Sequence, residues 1–388
     1  MVKKAKANAN ADYDKSMDRN DIIYWLNKDN DAKIVGADAN GLYLNDNSLE
    51  ELFRKSFFKK KEYRGEEIYL RGLVEISNIC RKNCLYCGIR RGNENVVRYD
   101  LSDEEIKKDA KFAADAGYGS VVLQGGERTD SNFVERICRL SHNITAMGLG
   151  LTLSLGEQSR EVYAEWAKNG AIRYLLRIES SNRKLYERIH PADTLHSYDT
   201  RVAAIESLKS CGYFTGTGVM IGLPGQSFED LADDLLFFKR MEVDMVGMGP
   251  YIMHPDTPLN SAEQAMIGAD GEVFEVTDEK KLLLSLKMIA LLRQLMPWIN
   301  IASTTALQVL DANGREYGLL CGANIIMPNL TESVNRSNYQ LYKGKPGLQD
   351  DAEATKSVLL KNLRKFNIPV GWNKMGNPAL KTEFLSGN

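Results

Sequence analysis

Cysteine, histidine and proline are scarce in this chain: six, four and ten among 388 residues. Half of the cysteines fall within eight positions, at Cys80, Cys84 and Cys87. No stretch approaches about 18 consecutive apolar residues, which excludes a membrane-spanning helix. The opening "MVKKAKANANADYDKSMDRND" has no apolar h-region and does not read as a signal peptide. Rich in Ala, Asn, Lys and Asp, residues 1–20 read as a disordered tail. Neither sign of charge dominates. A net charge of −2 gives no global basic field for nucleic acid. The run Lys59, Lys60, Lys61 sits in a helix-like stretch and reads as a solvated face. There is no internal repeat. The expected compartment is the cytoplasm, where thiols stay reduced, so a disulfide framework explains the three clustered cysteines poorly.

Hydrophobic residues make up 43% of the chain and charged residues 26%, enough for a large core. After a helical lead-in at 47–63, short β-rich runs alternate with amphipathic stretches. Strand candidates are 68–77, 120–126, 149–156, 173–180, 215–223, 244–252, 300–304 and 322–328. Helices are expected near 102–116, 131–147, 159–169, 183–190, 198–211, 227–240 and 278–295. A shorter turn around 304–319 would join the last two strands. Ser102 and Glu105 form a capping box, and Gly117, Gly148, Gly170 and Gly212 fall where helices should stop. Eight strands with seven connections is the count of an α/β (β/α)8 TIM-type barrel, although an open doubly wound sheet could use the same elements. The expected division is a tail (1–20), an N-terminal helical extension (21–66), the barrel (67–345) and a C-terminal helix and tail (346–388). Residues 255–277 break the rhythm and read as a loop insertion.

The three cysteines follow the first strand as C-x3-C-x2-C, at the C-terminal face where barrel enzymes keep their chemistry. Thiolates in such a set bind zinc or an iron–sulfur cluster. Structural zinc wants four closed ligands, and no fourth cysteine or histidine lies nearby. Three thiolates on a four-iron cluster instead leave one iron free for a ligand. Cys138, Cys211 and Cys321 read as small buried hydrophobes.

Other positions suggest a hollow interior. "QGGE" (124–127) ends strand two with paired glycines, which let a ligand approach the backbone. In "GTGVMIGLPGQ" (216–226), Gly216, Gly218, Met220 and Gly222 share one parity, leaving one strand face nearly bare. In "RYLLRIES", Arg173, Leu175, Arg177 and Glu179 share another. Two guanidiniums inside a barrel need anionic partners, from a ligand or from a structural ion-pair network. Thr152, Ser154, Thr304 and Thr305 add polarity.

The C-x3-C-x-aromatic-C signature of Cys80, Cys84, Tyr86 and Cys87 resembles that of the radical S-adenosylmethionine enzymes. The resemblance implies one 4Fe-4S cluster on the three cysteines, with S-adenosyl-L-methionine chelating the open iron and yielding a 5′-deoxyadenosyl radical. It implies cofactor contacts at Tyr86, Gly125, Gly126, Glu127, Ser154, Glu179, Arg201 and Gly222, with Glu179 at the ribose and Arg201 at the carboxylate. Thr152, Arg173, Arg177, Thr304, Thr305, Tyr339 and Tyr342 match the lining of the substrate cavity. No cysteine follows Cys321, so an accessory C-terminal cluster is not expected. No catalytic residue beyond the cluster and cofactor stands out.

Within that family, "SNICRKNCLYCGIRR", "LTLSLGE", "YLLRIES", "HPDTPL" and "CGANIIMPN" resemble the FeFe-hydrogenase maturases. The implied substrate is an anionic small molecule or organometallic complex, a cysteine-bound iron carbonyl–cyanide species. Implied partners are a reductant such as ferredoxin or flavodoxin and other hydrogenase maturases, with no nucleic acid and no membrane. Alternatives are a methylornithine-synthase-like mutase, a biotin-synthase-like sulfur-transfer enzyme, or an iron–sulfur carrier without radical chemistry.

Overall fold

Residues 17–261, 265–268 and 271–378 are described by a computed structural model. Most of the predicted tail lies outside the described residues. Helix formation nevertheless begins inside that range, at Arg19, because Asp18 and Asp21 close a reciprocal cap on the helix Arg19–Asn27.

Eight parallel strands form one sheet: β1 (Tyr69–Ser77), β2 (Ser120–Gly125), β3 (Gly150–Ser154), β4 (Ala171–Leu175), β5 (Phe214–Thr217), β6 (Met245–Val246), β7 (Asn300–Ile301) and β8 (Ile325–Ile326). Their order is β7-β6-β5-β4-β3-β2-β1-β8. A parallel bridge between Ala302 and Ile325 joins the two edges, with Ser303 N donating to Ile325 O at 2.9 Å. The sheet therefore closes into the expected barrel, and no edge is left to pair with another chain. Beyond β5 and β6, Met220–Ile221 and Gly249–Pro250 pair again and lengthen the wall at the C-terminal face.

Most outer helices start at a side chain that accepts from a free N–H of the first turn, whereas Leu307–Leu310 and Gly314–Leu320, between β7 and β8, have no such cap. Ser102 and Ser227 form capping boxes, while Asp130, Ser159, Ser197 and Thr277 cap alone. These helices end within a few residues of the predicted positions.

Three expectations change. The N-terminal extension contains an antiparallel hairpin, Ile34–Asp38 with Gly41–Leu44, between its helices Arg19–Asn27 and Asn47–Arg64. Those helices cover Asp278–Leu295, which is why that helix is buried almost all round. Lys60 belongs to no solvated face: it is 2% exposed and donates to Glu66 O, and burial lowers its pKa to about 7. Within 255–277, Ala265–Ile267 pairs with Val273–Glu275, and Ile267 N donates to Gln226 O.

The C-terminal stretch departs furthest from a simple tail. After the helix Ala352–Lys365, the chain runs back along β1 through the Ile68–Val370 bridge. It then enters the N-terminal end of the barrel. There Met375 O accepts from Arg173 Nη2 at 2.9 Å, Gly376 O from Asn300 Nδ2 at 2.8 Å, and Asn377 O from Arg64 Nη2 at 2.8 Å. Arg71 Nη2 reaches Gly376 O at 3.3 Å. Three buried guanidiniums thus grip the carbonyls of one segment, which forms the floor of the barrel.

Candidate functional site

The loop after β1 is held by side chains rather than by regular structure. Asn78 donates to Val97 O and Asn338 O, each at 2.8 Å, and accepts from Tyr99 N. Arg98 staples the loop, donating to Asn78 O, Ile89 O, Arg90 O and Asn93 O at 2.7–3.1 Å. Asn83 N donates to His196 Nε2 at 2.9 Å, and the opposite ring nitrogen is held by Asp193 at 2.6 Å.

This frame points Cys80, Cys84 and Cys87 into one cavity of about 340 Å³ at the C-terminal face. Burial pushes the Cys84 thiol up to about 12, with Arg201 pulling the other way. It raises Cys87 and Cys80 as well. Undocked from metal, these are neutral thiols, and metal binding must displace their protons. Among the described residues no three His, Cys, Asp or Glu side chains converge as ligands of a single ion. A cluster takes one thiolate per iron and needs no such convergence.

The opposite wall is backbone and carboxylate. A side chain at Gly126 would meet Ile79 O at 2.3 Å and Cys80 Cβ at 2.8 Å, so β2 approaches the cysteine loop as closely as glycine permits. Glu127 N donates to Cys80 Sγ at 3.3 Å. The Glu127 carboxylate accepts from Arg81 Nε at 2.9 Å and Glu157 N at 2.8 Å. Gly156, at φ +77°, leaves room for that carboxylate, since a Cβ there would sit 2.4 Å from it.

Beneath lies a buried charge network. Glu157 accepts from Lys82 Nζ at 2.8 Å and is ion-paired with Arg201, whose Nη1 donates to Arg177 O. Burial alone would raise the Glu157 pKa; Arg201 and Lys82 outweigh it and hold the carboxylate below its ordinary range. Glu179 is strained, at φ +66°. Its Oε2 is ion-paired with Arg177 Nη2 at 3.0 Å, off the hydrogen-bonding line, so the buried oxygen has no hydrogen-bond donor among the described residues. Burial also raises its pKa. An unsatisfied, strained carboxylate aimed into a cavity is one that awaits a ligand donor.

Of the residues expected at the cofactor, Tyr86, Gly125, Gly126, Glu127, Ser154, Glu179 and Arg201 line this cavity with the cysteines. Gly222 does not. It forms a tight turn at φ +86°, and its N–H is taken by Gln226 Oε1 at 2.8 Å. Of the expected substrate lining, Arg177, Thr304, Thr305, Tyr339 and Tyr342 are present. Arg173 is not: its guanidinium points to the floor, onto Ser120 Oγ and Met375 O. Thr152 lies on the face of Ser154 but two residues lower, fully buried and outside the lining. With Arg173 removed and Arg177 beside Glu179, the cavity is less cationic than the sequence suggests. Four cationic side chains and three carboxylates line it.

Lys82, Glu75 and Lys345 also line the cavity, and Glu157 backs it, yet sequence reasoning missed all four. Glu75 shares its strand face with Arg71 and Leu73, so a charge in mid-strand was the available signal. The others sit in irregular segments that carry no periodicity.

Buried thiols that need a metal to ionise, a glycine-lined wall and an unsatisfied carboxylate fit a cluster bearing a polar cofactor. A closed (β/α)8 barrel with this site at its C-terminal face defines a radical S-adenosylmethionine enzyme that uses a 4Fe-4S cluster. The Radical SAM superfamily profile matches residues 74–238. The chain is 46% identical over 308 residues to the [FeFe] hydrogenase maturase subunit HydE of Thermotoga maritima, covering 78% of this chain and 82% of that one. It belongs to the radical SAM superfamily and, within it, to the HydE family. The 3-methylornithine synthase of Methanosarcina acetivorans is 27% identical over 75% of this chain and 78% of its own. The solved methylornithine synthase PylB shares the fold at a TM-score of 0.72 and 23% identity, covering 96% of both chains. The maturase HydG does so at 0.71 and 18%, covering 96% of this chain and 77% of that one. No described helix is long and apolar enough to cross a membrane.

Proposed function

We propose that this chain is a radical S-adenosylmethionine maturase acting in assembly of the two-iron subcluster of FeFe hydrogenase. The observation that carries the reading is the meeting, in one cavity, of three buried cysteines, Gly126 packed on the cysteine loop, and the unsatisfied Glu179 carboxylate. The 46% identity to HydE supports the maturase over the mutase.

Cys80, Cys84 and Cys87 would hold the cluster. When bound, the cluster supplies the electron that splits the cofactor's sulfonium bond to give a 5′-deoxyadenosyl radical. Gly125, Gly126 and Glu127 suit the cofactor's amino group, and Arg201 its carboxylate. Glu179 Oε2 is an acceptor without a donor, which suits a ribose hydroxyl. The buried Lys82, Glu157 and Arg201 network orients Arg201 and keeps Glu157 ionised. Arg177, Thr304, Thr305, Tyr339 and Tyr342 would receive the substrate, an anionic or organometallic species such as a cysteine-bound iron carbonyl–cyanide complex. A low-potential reductant, ferredoxin or flavodoxin, and the other hydrogenase maturases are the proposed partners, in the cytoplasm, where the thiols stay reduced.

Anaerobic reconstitution, reduction and product analysis test the reading. We expect a four-iron cluster signal by EPR and stoichiometric 5′-deoxyadenosine. A cluster with no 5′-deoxyadenosine would instead identify an electron or cluster carrier. Conversion of lysine to methylornithine would identify the mutase.

A further inference from the structure

The chain after β8 returns across the mouth of the barrel as residues 337–347, without helix or strand. It contributes Tyr339, Leu341, Tyr342 and Lys345 to the cavity wall. Its backbone meets the rest of the mouth through scattered hydrogen bonds. Gly88 N donates to Leu341 O at 3.0 Å, Asn78 Nδ2 to Asn338 O at 2.8 Å, and Lys343 N to Met253 O at 3.3 Å. Gly88 directly follows Cys87, so this segment rests on the cysteine loop itself. Single hydrogen bonds of this kind are each of modest net worth.

Lys345 makes a different kind of contact. Its side chain is only 9% exposed and forms an ion pair with Glu75, which is 2% exposed on β1. The same ammonium donates to Tyr339 O at 3.0 Å and lies 5.3 Å from the centre of the Tyr339 ring. Glu75 is itself fixed, since its other oxygen accepts from Asn329 Nδ2 at 2.9 Å and its N–H donates to Thr331 Oγ1 at 2.7 Å. A buried ion pair adds little net stability over an apolar pair, but losing one partner strands a charge in a dry environment. Such a pair is therefore a weak glue and a strict locator. None of the cofactor roles proposed above uses it.

We infer that Lys345 is a positioning residue: its pair with Glu75 latches residues 337–347 over the cavity and sets Tyr339 and Tyr342 against the bound substrate. The inference rests on reading this cavity as the reaction chamber. It adds that the roof is a separate fastened piece, tied to its surroundings by scattered hydrogen bonds and to β1 by the Lys345–Glu75 charge pair.

The test compares the full chain, reconstituted anaerobically, with K345M, K345R, E75Q and the double variant E75Q/K345M. Hydrogen–deuterium exchange over 337–347 reads the latch, and iron removal by bathophenanthroline reads exposure of the cluster beneath it. With iron content matched, K345M is expected to exchange at least about tenfold faster across 337–347 and to lose iron several-fold faster. K345R, which keeps the charge, should exchange as the wild type does. The double variant removes both charges and should recover part of the protection. If K345M fails to fold with Glu75 stranded, the double variant against E75Q gives the comparison without a stranded carboxylate. Wild-type exchange in K345M and in E75Q overturns the latch. A wild-type protein that makes no 5′-deoxyadenosine sinks the radical reading instead, and the exchange data still judge the latch separately.

Discussion

Gly126 shows how little space the cysteine loop leaves. Replacement by alanine would drive a methyl group against Ile79 O and Cys80 Cβ, whereas at Gly125 the nearest atom is Ile76 Cγ1 at 3.2 Å. G126A should therefore lose most of its iron on reconstitution while G125A retains most of it, as iron and sulfide assays will show. Cys84→Ala should abolish both the cluster EPR signal and 5′-deoxyadenosine formation; full cofactor cleavage in that variant would contradict the ligand assignment. Arg177→Leu should depress substrate turnover more than cluster assembly, and an equal loss of both would make Arg177 structural. At this scale parity was informative and height was not. Arg173 and Arg177 share a strand face, and alternation says both point inward. Nothing in that pattern tells that Arg177 reaches the cavity while Arg173 turns to the floor. Glu157 and Lys82 were quoted within recognisable stretches, but their pairing depends on loops whose approach no local pattern encodes.

At the scale of elements, the turn after Glu179 depends on a neighbouring helix. Asp234, fully buried in Phe228–Arg240, accepts from Ser181 N at 2.6 Å, and Asp230 holds Asn182. Burial raises the Asp234 pKa to about 8, with the Ser181 hydrogen bonds opposing. The folded state thus holds a proton that the unfolded chain releases near pH 4. This contribution to stability is full below about pH 4 and is lost as pH rises toward 8, at up to about 1.4 kcal/mol per pH unit. D234N should flatten that part of the stability–pH profile measured by chemical denaturation; an unchanged slope would show that the carboxyl is ionised in the fold. The barrel's alternation of strands and helices was legible because most outer helices carry a side-chain cap at their start, and four of them a left-handed glycine at their stop. The hairpin at 34–44 was not, since its strands are short and lie in a region dominated by helical neighbours. The run from 366 to 378 lacks any periodic pattern, because its carbonyls, rather than its side chains, make the contacts.

For the whole molecule, those carbonyls matter to stability. Deleting residues 373–388 would leave Arg64, Arg71 and Arg173 with few acceptors in a buried setting. Each lost partner costs about 1–3 kcal/mol, so the truncated chain should melt at least about 5 °C lower by differential scanning fluorimetry. An unchanged melting temperature would mean that water replaces the segment at no penalty.

That same floor decides traffic. Among the described residues the hollow is stopped at its N-terminal end by the chain itself, and the three cysteines that would hold the cluster line its opposite end. Whatever the cavity binds would therefore enter and leave past the cysteine loop and residues 337–347.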